Sequence, residues 1–516
     1  MKNKLNPVFD ALHGAQQSLP LWRASFRMAL VTVAGLLAAG LMATGMTGCA
    51  DMSGIESKAS LRDASSLGLP AANASASAVP AKTVSTEWWR DFGDEQLNAL
   101  IVQTLQSNPS LKLAQARLAR AQAVTEVANA ATRPQLNGQL DATRQRYTAN
   151  GAVPPPLAGS IRDSGTLQLS ASWELDFFGK NQAALDAALG SVNAAEADAQ
   201  AARVLLASNV ARSYFQLVRL NEQTMVARRT LAQREETLKL VQDRVRAGLD
   251  TRLELSQSEG GLPEARLQVE SLQEQMALTR NALGALVGQP NRASTIIPQA
   301  LAAIKNAAFT SGLPADLMGR RADIAAARWR VEASSKDVVN AKTQFYPNIN
   351  LVAFAGFSSI GISRLLDSGS QQWGVGPALR LPIFDAGRLR ANLRGKTADL
   401  DAAVESYNAA VLDAVRDVAD QVASMQAIGR QQTEQRAAQD AAESAYEIAV
   451  QRYKAGLGNY LNVLTAETSV LAQRRSSVDL SARALDTQVA LIRALGGGYT
   501  AVDAPAVAQP LALLKP

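Results

Sequence analysis

Hydrophobic positions in this chain follow two periods, and long stretches keep to one or the other. Residues 180–247 contain no proline, and Gly190 is their only glycine. Apolar side chains recur there at helical steps, as in Val210, Tyr214, Leu217 and Leu220, which predicts one helix. Unbroken, it would run about 100 Å at the usual rise of about 1.5 Å per residue. Residues 389–455 repeat the pattern, again without proline and with Gly395 and Gly429. Helices this long, with no globular core between them, predict coiled-coil-like association. Return helices are predicted over residues 249–287, with Pro263 as a kink point, and over residues 457–495.

The second period is two. In residues 166–177 the apolar set is Leu167, Leu169, Ala171, Trp173, Leu175 and Phe177, and the polar set is Thr166, Gln168, Ser170, Ser172, Glu174 and Asp176. That alternation predicts a strand wet on one face only. Leu136, Gly138, Leu140 and Ala142 alternate in the same way, as do Ile349, Leu351 and Ala353, then Trp373, Val375, Leu379, Leu381 and Ile383. Each repeat thus carries a hairpin. A strand of about 10 residues is long enough to cross an outer membrane at a tilt. A soluble two-sided hairpin lying over a core is the other reading of the pattern.

The helix–hairpin–long helix–turn–helix order occurs twice. Phe178-Gly179-Lys180 answers Ala386-Gly387-Arg388 at an offset of 208 residues. Arg244-Val-Arg-Ala-Gly248-Leu249 answers Arg452-Tyr-Lys-Ala-Gly456-Leu457 at the same offset of 208. We read an internal duplication, with a first repeat over residues 87–300 and a second over residues 301–498. Residues 499–516 form a tail. Two hairpins give four strands, too few to close a barrel, because about eight strands is the practical minimum. Open sheet edges are not tolerated in lipid. Several chains must therefore share one barrel, and three copies supply an even count of twelve strands.

Composition narrows the chemistry. Hydrophobic residues make up 47% and aromatics 5%, so the apolar surface is mostly aliphatic, as in long helices. There is one cysteine, Cys49, and one histidine, His13, which excludes zinc clusters, disulfide frameworks and His-based catalytic triads. No enzyme motif, nucleotide loop or cofactor site is found, and no cofactor is expected. Residues 28–46 carry no charge and follow Lys2, Lys4, Arg23 and Arg27, which reads as an export signal over residues 1–48. Met46-Thr47-Gly48-Cys49 is similar to a lipoprotein processing site, with Met46 where leucine is usual, and makes Cys49 the candidate lipidation site. An uncleaved anchor helix and an ordinary signal with an incidental cysteine are the alternatives. The four cations against Asp10 place three of the six net positive charges in this segment, which weakens any nucleic-acid reading. Residues 49–86 then read as a lipidated spacer of extended chain, rich in Ala and Ser.

Four stretches carry a family resemblance. They are Trp88-Trp89-Arg90-Asp91-Phe92-Gly93-Asp94, then Trp173-Glu-Leu-Asp176-Phe-Phe-Gly179-Lys180, then Gly319-Arg320-Arg321-Ala322-Asp323-Ile324 running on to Phe345-Tyr346-Pro347, and last Leu381-Pro382-Ile383-Phe384-Asp385-Ala386-Gly387-Arg388. Together with the repeat, the chain resembles the outer-membrane factors of bacterial tripartite efflux systems, the TolC/OprM group, and within it the lipidated NodT-type members. Ala322 stands where that family usually has proline.

The resemblance implies a mainly α chain with a transmembrane β-barrel. Three subunits would share twelve strands, continuous with a long periplasmic α-helical barrel. It implies a homotrimer in outer-membrane lipid, a periplasmic adaptor (membrane fusion protein) at the helical tips, and an inner-membrane RND-type pump that supplies the energy. Adaptor contacts are expected at Gly248, Leu249, Gly456 and Leu457, although two helix C-caps would look the same. The family's gate positions fall on Asn462 and Thr465, with Glu254 and Gln257 as first-repeat equivalents. Glu254 alone can ionise, as part of a carboxylate ring or as a solvated helix face. Trp173, Phe177, Phe178, Phe357, Trp373 and Phe384 are candidate membrane-interface aromatics, with strand-end packing as the competing account. Export of small amphiphiles is the leading expectation. The exit duct of a type I protein-secretion system shares the fold, and a periplasmic coiled-coil scaffold or adaptor is the alternative from another class.

Overall fold

The computed structural model describes residues 51–62, 84–305 and 320–500. The export segment, Cys49, residues 63–83 of the spacer and most of the C-terminal tail lie outside the described residues. The chain divides into two compact units.

The first unit comprises described residues 51–56, 131–183 and 338–397, and is built on one antiparallel sheet. Its strands are β1 (Gln135–Arg146), β2 (Ile161–Leu175), β3 (Asn348–Ile360) and β4 (Gln371–Arg380), paired in sequence order. β1 and β4 are the edges, each with one neighbour. The strands stop short of the sequence expectation at one end. Phe177 lies beyond β2, where Phe177 N bonds back to Leu175 O at 2.9 Å. Ile383 lies beyond β4, after Pro382, which has no N–H to give a ladder.

The second unit is helical. Its elements are α1 (Glu95–Ser107), α2 (Pro109–Ala131), α3 (Lys180–Arg246), α4 (Arg252–Val287), α5 (Ala322–Thr343), α6 (Arg388–Lys454) and α7 (Tyr460–Ala494), apart from the few end residues assigned to the sheet unit. α3 and α6 are each 67 residues long. α4 and α7 start three residues later than the periodicity predicts, because each takes an N-cap first, Thr251 and Asn459. α4 runs on through Pro263, and Gly261 O nearby accepts from Arg234 Nη1 at 2.7 Å.

Three apolar clusters hold this unit. The largest gathers Trp88, Trp89 and Phe92 with Leu97 and Ile101 of α1, Tyr214 and Phe215 of α3, Leu283 of α4 and Val489 of α7. A second joins α5, α6 and α7 around Val331, Val411 and Leu491. The third joins the ends of α3 and α6 to the start of α7. Ion pairs lace α3 to α7 in antiparallel register: Arg212–Asp486 at 2.6 Å, Arg219–Asp479 at 3.0 Å and Arg234–Glu467 at 3.2 Å. With Glu467 buried, loss of Arg234 would strand its carboxylate away from water.

The spacer's first stretch is extended, as its composition implies, but it is fastened. In the sheet unit Arg390 donates to the carbonyls of Asp51 and Ser53 and pairs with the Asp51 carboxylate at 2.7 Å. In the helical unit Asp401 of α6 accepts from Ser57 Oγ and from the N–H groups of Lys58 and Ala59, while Asn408 bonds Arg62 N and Ser60 O.

Candidate functional site: the apolar sheet face and the helical tips

The strand register makes the face assignment row by row. Leu140 pairs with Leu167, which pairs with Phe357. Gly138, Leu169, Ala355 and Trp373 form the next row, and Leu136, Ala171, Ala353 and Val375 the one after. Trp173, Leu351 and Pro377, then Leu175, Ile349 and Leu379, complete the face. The opposite face carries Gln139, Gln168 and Asp141 against Thr166, with Thr166 and Ser358 hydroxyls 3.3 Å apart. The apolar face has no cover within its unit: Leu136 is 70% exposed, Leu140 69% and Trp373 78%. A strand running from Gly165 to Leu175 rises about 33 Å, and at the tilt of membrane barrels it spans about 25 Å of height.

The six aromatics sort toward the two ends of this face. Trp173 lies near the end of β2, with Phe177 and Phe178 just beyond it. Its indole N–H donates to Thr132 O at 3.1 Å, and Phe178 stacks on Tyr346 at 5.0 Å. Phe384 lies past β4 and is 89% exposed. Phe357 and Trp373 belong to the two rows nearer the other end. Small aliphatic side chains fill the middle rows.

The predicted tips are the second site. α3 ends in a Schellman motif: Gly248 N donates to Val245 O at 3.0 Å and Leu249 N to Arg244 O at 2.9 Å. α6 ends identically, with Gly456 N to Tyr453 O at 3.0 Å and Leu457 N to Arg452 O at 2.8 Å. Both glycines hold positive φ, and an added Cβ would meet open space at either. Only backbone geometry therefore demands glycine there, at about 1–2 kcal/mol for another residue. Leu249, Leu253, Leu457 and Leu461 project as exposed apolar side chains around these turns. The two tips share one core, with Val241, Leu255, Tyr453, Tyr460 and Val463 packed together.

A polar clamp crosses the same place. Arg244 Nε pairs with Asp250 Oδ2 at 2.9 Å, and Nη1 donates to Tyr453 O at 3.1 Å. The guanidinium lies 4.6 Å from the Tyr453 ring centroid, while Tyr453 Oη donates to the Asp250 carboxylate. Burial and then the Asp250 contact push the tyrosine hydroxyl above its ordinary value. Burial alone would raise the Asp250 carboxyl, but hydrogen bonds from Arg244 and Tyr453 outweigh it and hold the group low. The sequence reading missed this clamp. Its one visible signal was the asymmetry between repeats, Asp250 and Tyr453 standing where the other copy has Gly458 and Val245.

The candidate gate residues flank the clamp. Glu254 closes a capping box: its Oε2 accepts from Thr251 N at 2.9 Å, while Thr251 Oγ1 accepts from Leu253 N at 3.2 Å. The Thr251 hydroxyl contact holds the Glu254 carboxyl below its ordinary value. Asn462 N donates to the Asn459 N-cap at 3.1 Å, and Thr465 Oγ1 back-bonds to Leu461 O at 2.9 Å. Gln257 is exposed. Cys49 lies outside the described residues.

The family model described as "Outer membrane efflux protein" matches residues 100–289 and 313–497. The chain is 33% identical over 427 residues to the multidrug resistance outer membrane protein MdtQ of Escherichia coli O157:H7, covering 80% of this chain and 88% of that one. It is 37% identical over 371 residues to the fusaric acid resistance protein FusA of Burkholderia cepacia, covering 70% and 69%. Among solved structures it is similar to the outer membrane protein VceC of Vibrio cholerae, with TM-score 0.76, 39% identity, and 80% and 99% coverage. An exposed apolar sheet face, paired helical tips and a match over most of its length place this chain in the outer membrane efflux protein family, the TolC/OprM-like channels.

Proposed function

We propose that three copies of this chain close a twelve-stranded barrel in the outer membrane and continue it as a helical conduit into the periplasm. The observation that carries this reading is the sheet: apolar on one face through five rows but for Gln371 beside Phe357, and ending at β1 and β4 on edges with one neighbour each. Such edges need partners in lipid, and copies of the same strands supply them. The aromatics toward both ends fit the two interfacial girdles of membrane barrels. The two matched family segments, of similar length, support the internal duplication.

The exposed leucines around Gly248 and Gly456 form the adaptor-contact surface in this reading, and an inner-membrane RND-type pump drives the flow. Three copies of Glu254 ring the periplasmic entrance, with Asn462 and Thr465 beside them. Cys49 carries the lipid anchor. Cargo is small and amphiphilic, a reading supported by the names of MdtQ and FusA, which speak of multidrug and fusaric acid resistance. The uncovered sheet face speaks against a periplasmic scaffold, which has no use for it.

Outer-membrane fractionation, followed by light scattering of the detergent-purified protein, tests the assembly. A heat-modifiable trimer in the outer-membrane fraction is expected. A monodisperse single chain, soluble in buffer without detergent, would overturn the proposal.

A further inference from the structure

The polar face of the sheet has an apolar island near its middle. Along β3 this face reads Asn348, Asn350, Val352, Phe354, Gly356 and Ser358, with Ile360 at the strand's end. Phe354 pairs with Ser170 of β2 and Gly374 of β4, and Val352 pairs with Ser172 and Gly376. Every pairing partner of the two is small and uncharged. One row away, Gln372 Nε2 bonds Gln168 Oε1 across Gly356 at 3.1 Å, so those amides are engaged with each other. The Phe354 ring leans over Gly374: a Cβ built there would lie 2.7 Å from Cε1 and 2.9 Å from Cζ. The glycine thus gives the ring its place, yet Phe354 remains 39% exposed. On a face of mostly amides and hydroxyls, with the carboxylates of Asp141 and Glu174 farther along it, an aromatic left partly open to water leaves apolar area unburied.

Resting on the conduit reading above, in which the polar face lines the lumen, we infer that Phe354 is a cargo contact. It meets the flat, apolar part of a passing amphiphile, and above all an aromatic cation. The ring offers dispersion, an aromatic edge or face, and a π-surface for positive charge. Its pairing partners, Ser170 and Gly374, are neutral, so no ion is paired directly with the ring. Three copies place three such contacts around the lumen, each weak enough to release what it holds.

The test uses the full-length trimer in planar bilayers, with tetraphenylphosphonium or tetramethylammonium added on the side of the 147–160 loop. Tetramethylammonium conductance is read first; a wild-type protein that forms no pore overturns the conduit reading and this inference with it. Given a pore, tetraphenylphosphonium is expected to block and tetramethylammonium to pass. Phe354→Ala is expected to raise the half-blocking concentration about three- to tenfold, the value of one aromatic–cation contact. Phe354→Leu keeps an apolar side chain over Gly374 and decides the matter if the alanine variant fails to insert; it is expected to lose block as alanine does, while Phe354→Tyr keeps it. Equal half-blocking concentrations in wild type and the leucine variant, at equal conductance, would overturn the inference and leave the conduit intact.

Discussion

Asp250 shows what a single residue does in this molecule. Its carboxylate takes hydrogen bonds from Arg244 and Tyr453, and so ties the end of α3 and the start of α4 to the end of α6. Asp250→Asn leaves the guanidinium without its counter-charge, at a cost of about 2 kcal/mol for hydrogen bonds to a charged group. A lower thermal midpoint in detergent, read by circular dichroism, is the expected outcome. The pH dependence has a definite sign. The folded pKa lies below the ordinary value of 3.8, so the clamp's contribution is complete above that value. It disappears as pH falls below it, and the asparagine variant should not show that acid loss. Periodicity had little chance of finding this group. A clamp made by residues of α3, of the turn after it and of α6 has no spacing to read, whereas the tip glycines were legible because a Schellman turn repeats a local sequence.

At the level of elements the strand alternation was the clearest signal, and the register bears it out: Leu136, Ala171, Ala353 and Val375 share one row, while Trp173 pairs with Leu351 and Leu175 with Ile349. Strand ends were less legible, because Phe177 and Ile383 continue the alternation after the ladder has stopped. The tight approach of β2 and β3 was also hidden. A β-carbon on Gly356 would lie 2.1 Å from Leu167 O, against backbone that has no freedom to yield. Gly356→Ala is therefore expected to force β3 away from β2 and to lower the yield of heat-modifiable protein in the outer membrane several-fold. Wild-type yield and mobility on unheated gels would show that the sheet absorbs the methyl group.

Over the whole molecule, assembly and contact with partners separate cleanly. In the helical unit the tip turns carry no packing that a side chain would disturb, since nothing lies within 4 Å of a Cβ on Gly456. In the proposed assembly, Gly456→Trp is expected to leave trimer and localisation intact and to abolish export, because the indole would occupy the proposed adaptor surface. Normal drug resistance in cells carrying that variant would contradict the assignment. What the sequence left illegible at this scale was the spacer. Ala- and Ser-rich chain has no period, and nothing in it announces Asp401 and Asn408 as its anchors. Those anchors have a temporal consequence. Ser57 and Asp401 are 344 residues apart, so in a chain made from its N-terminus the start of the spacer must wait for most of the rest before it finds its seat. Until α6 is made, residues 57–62 lack the carboxylate and the amide that fasten them.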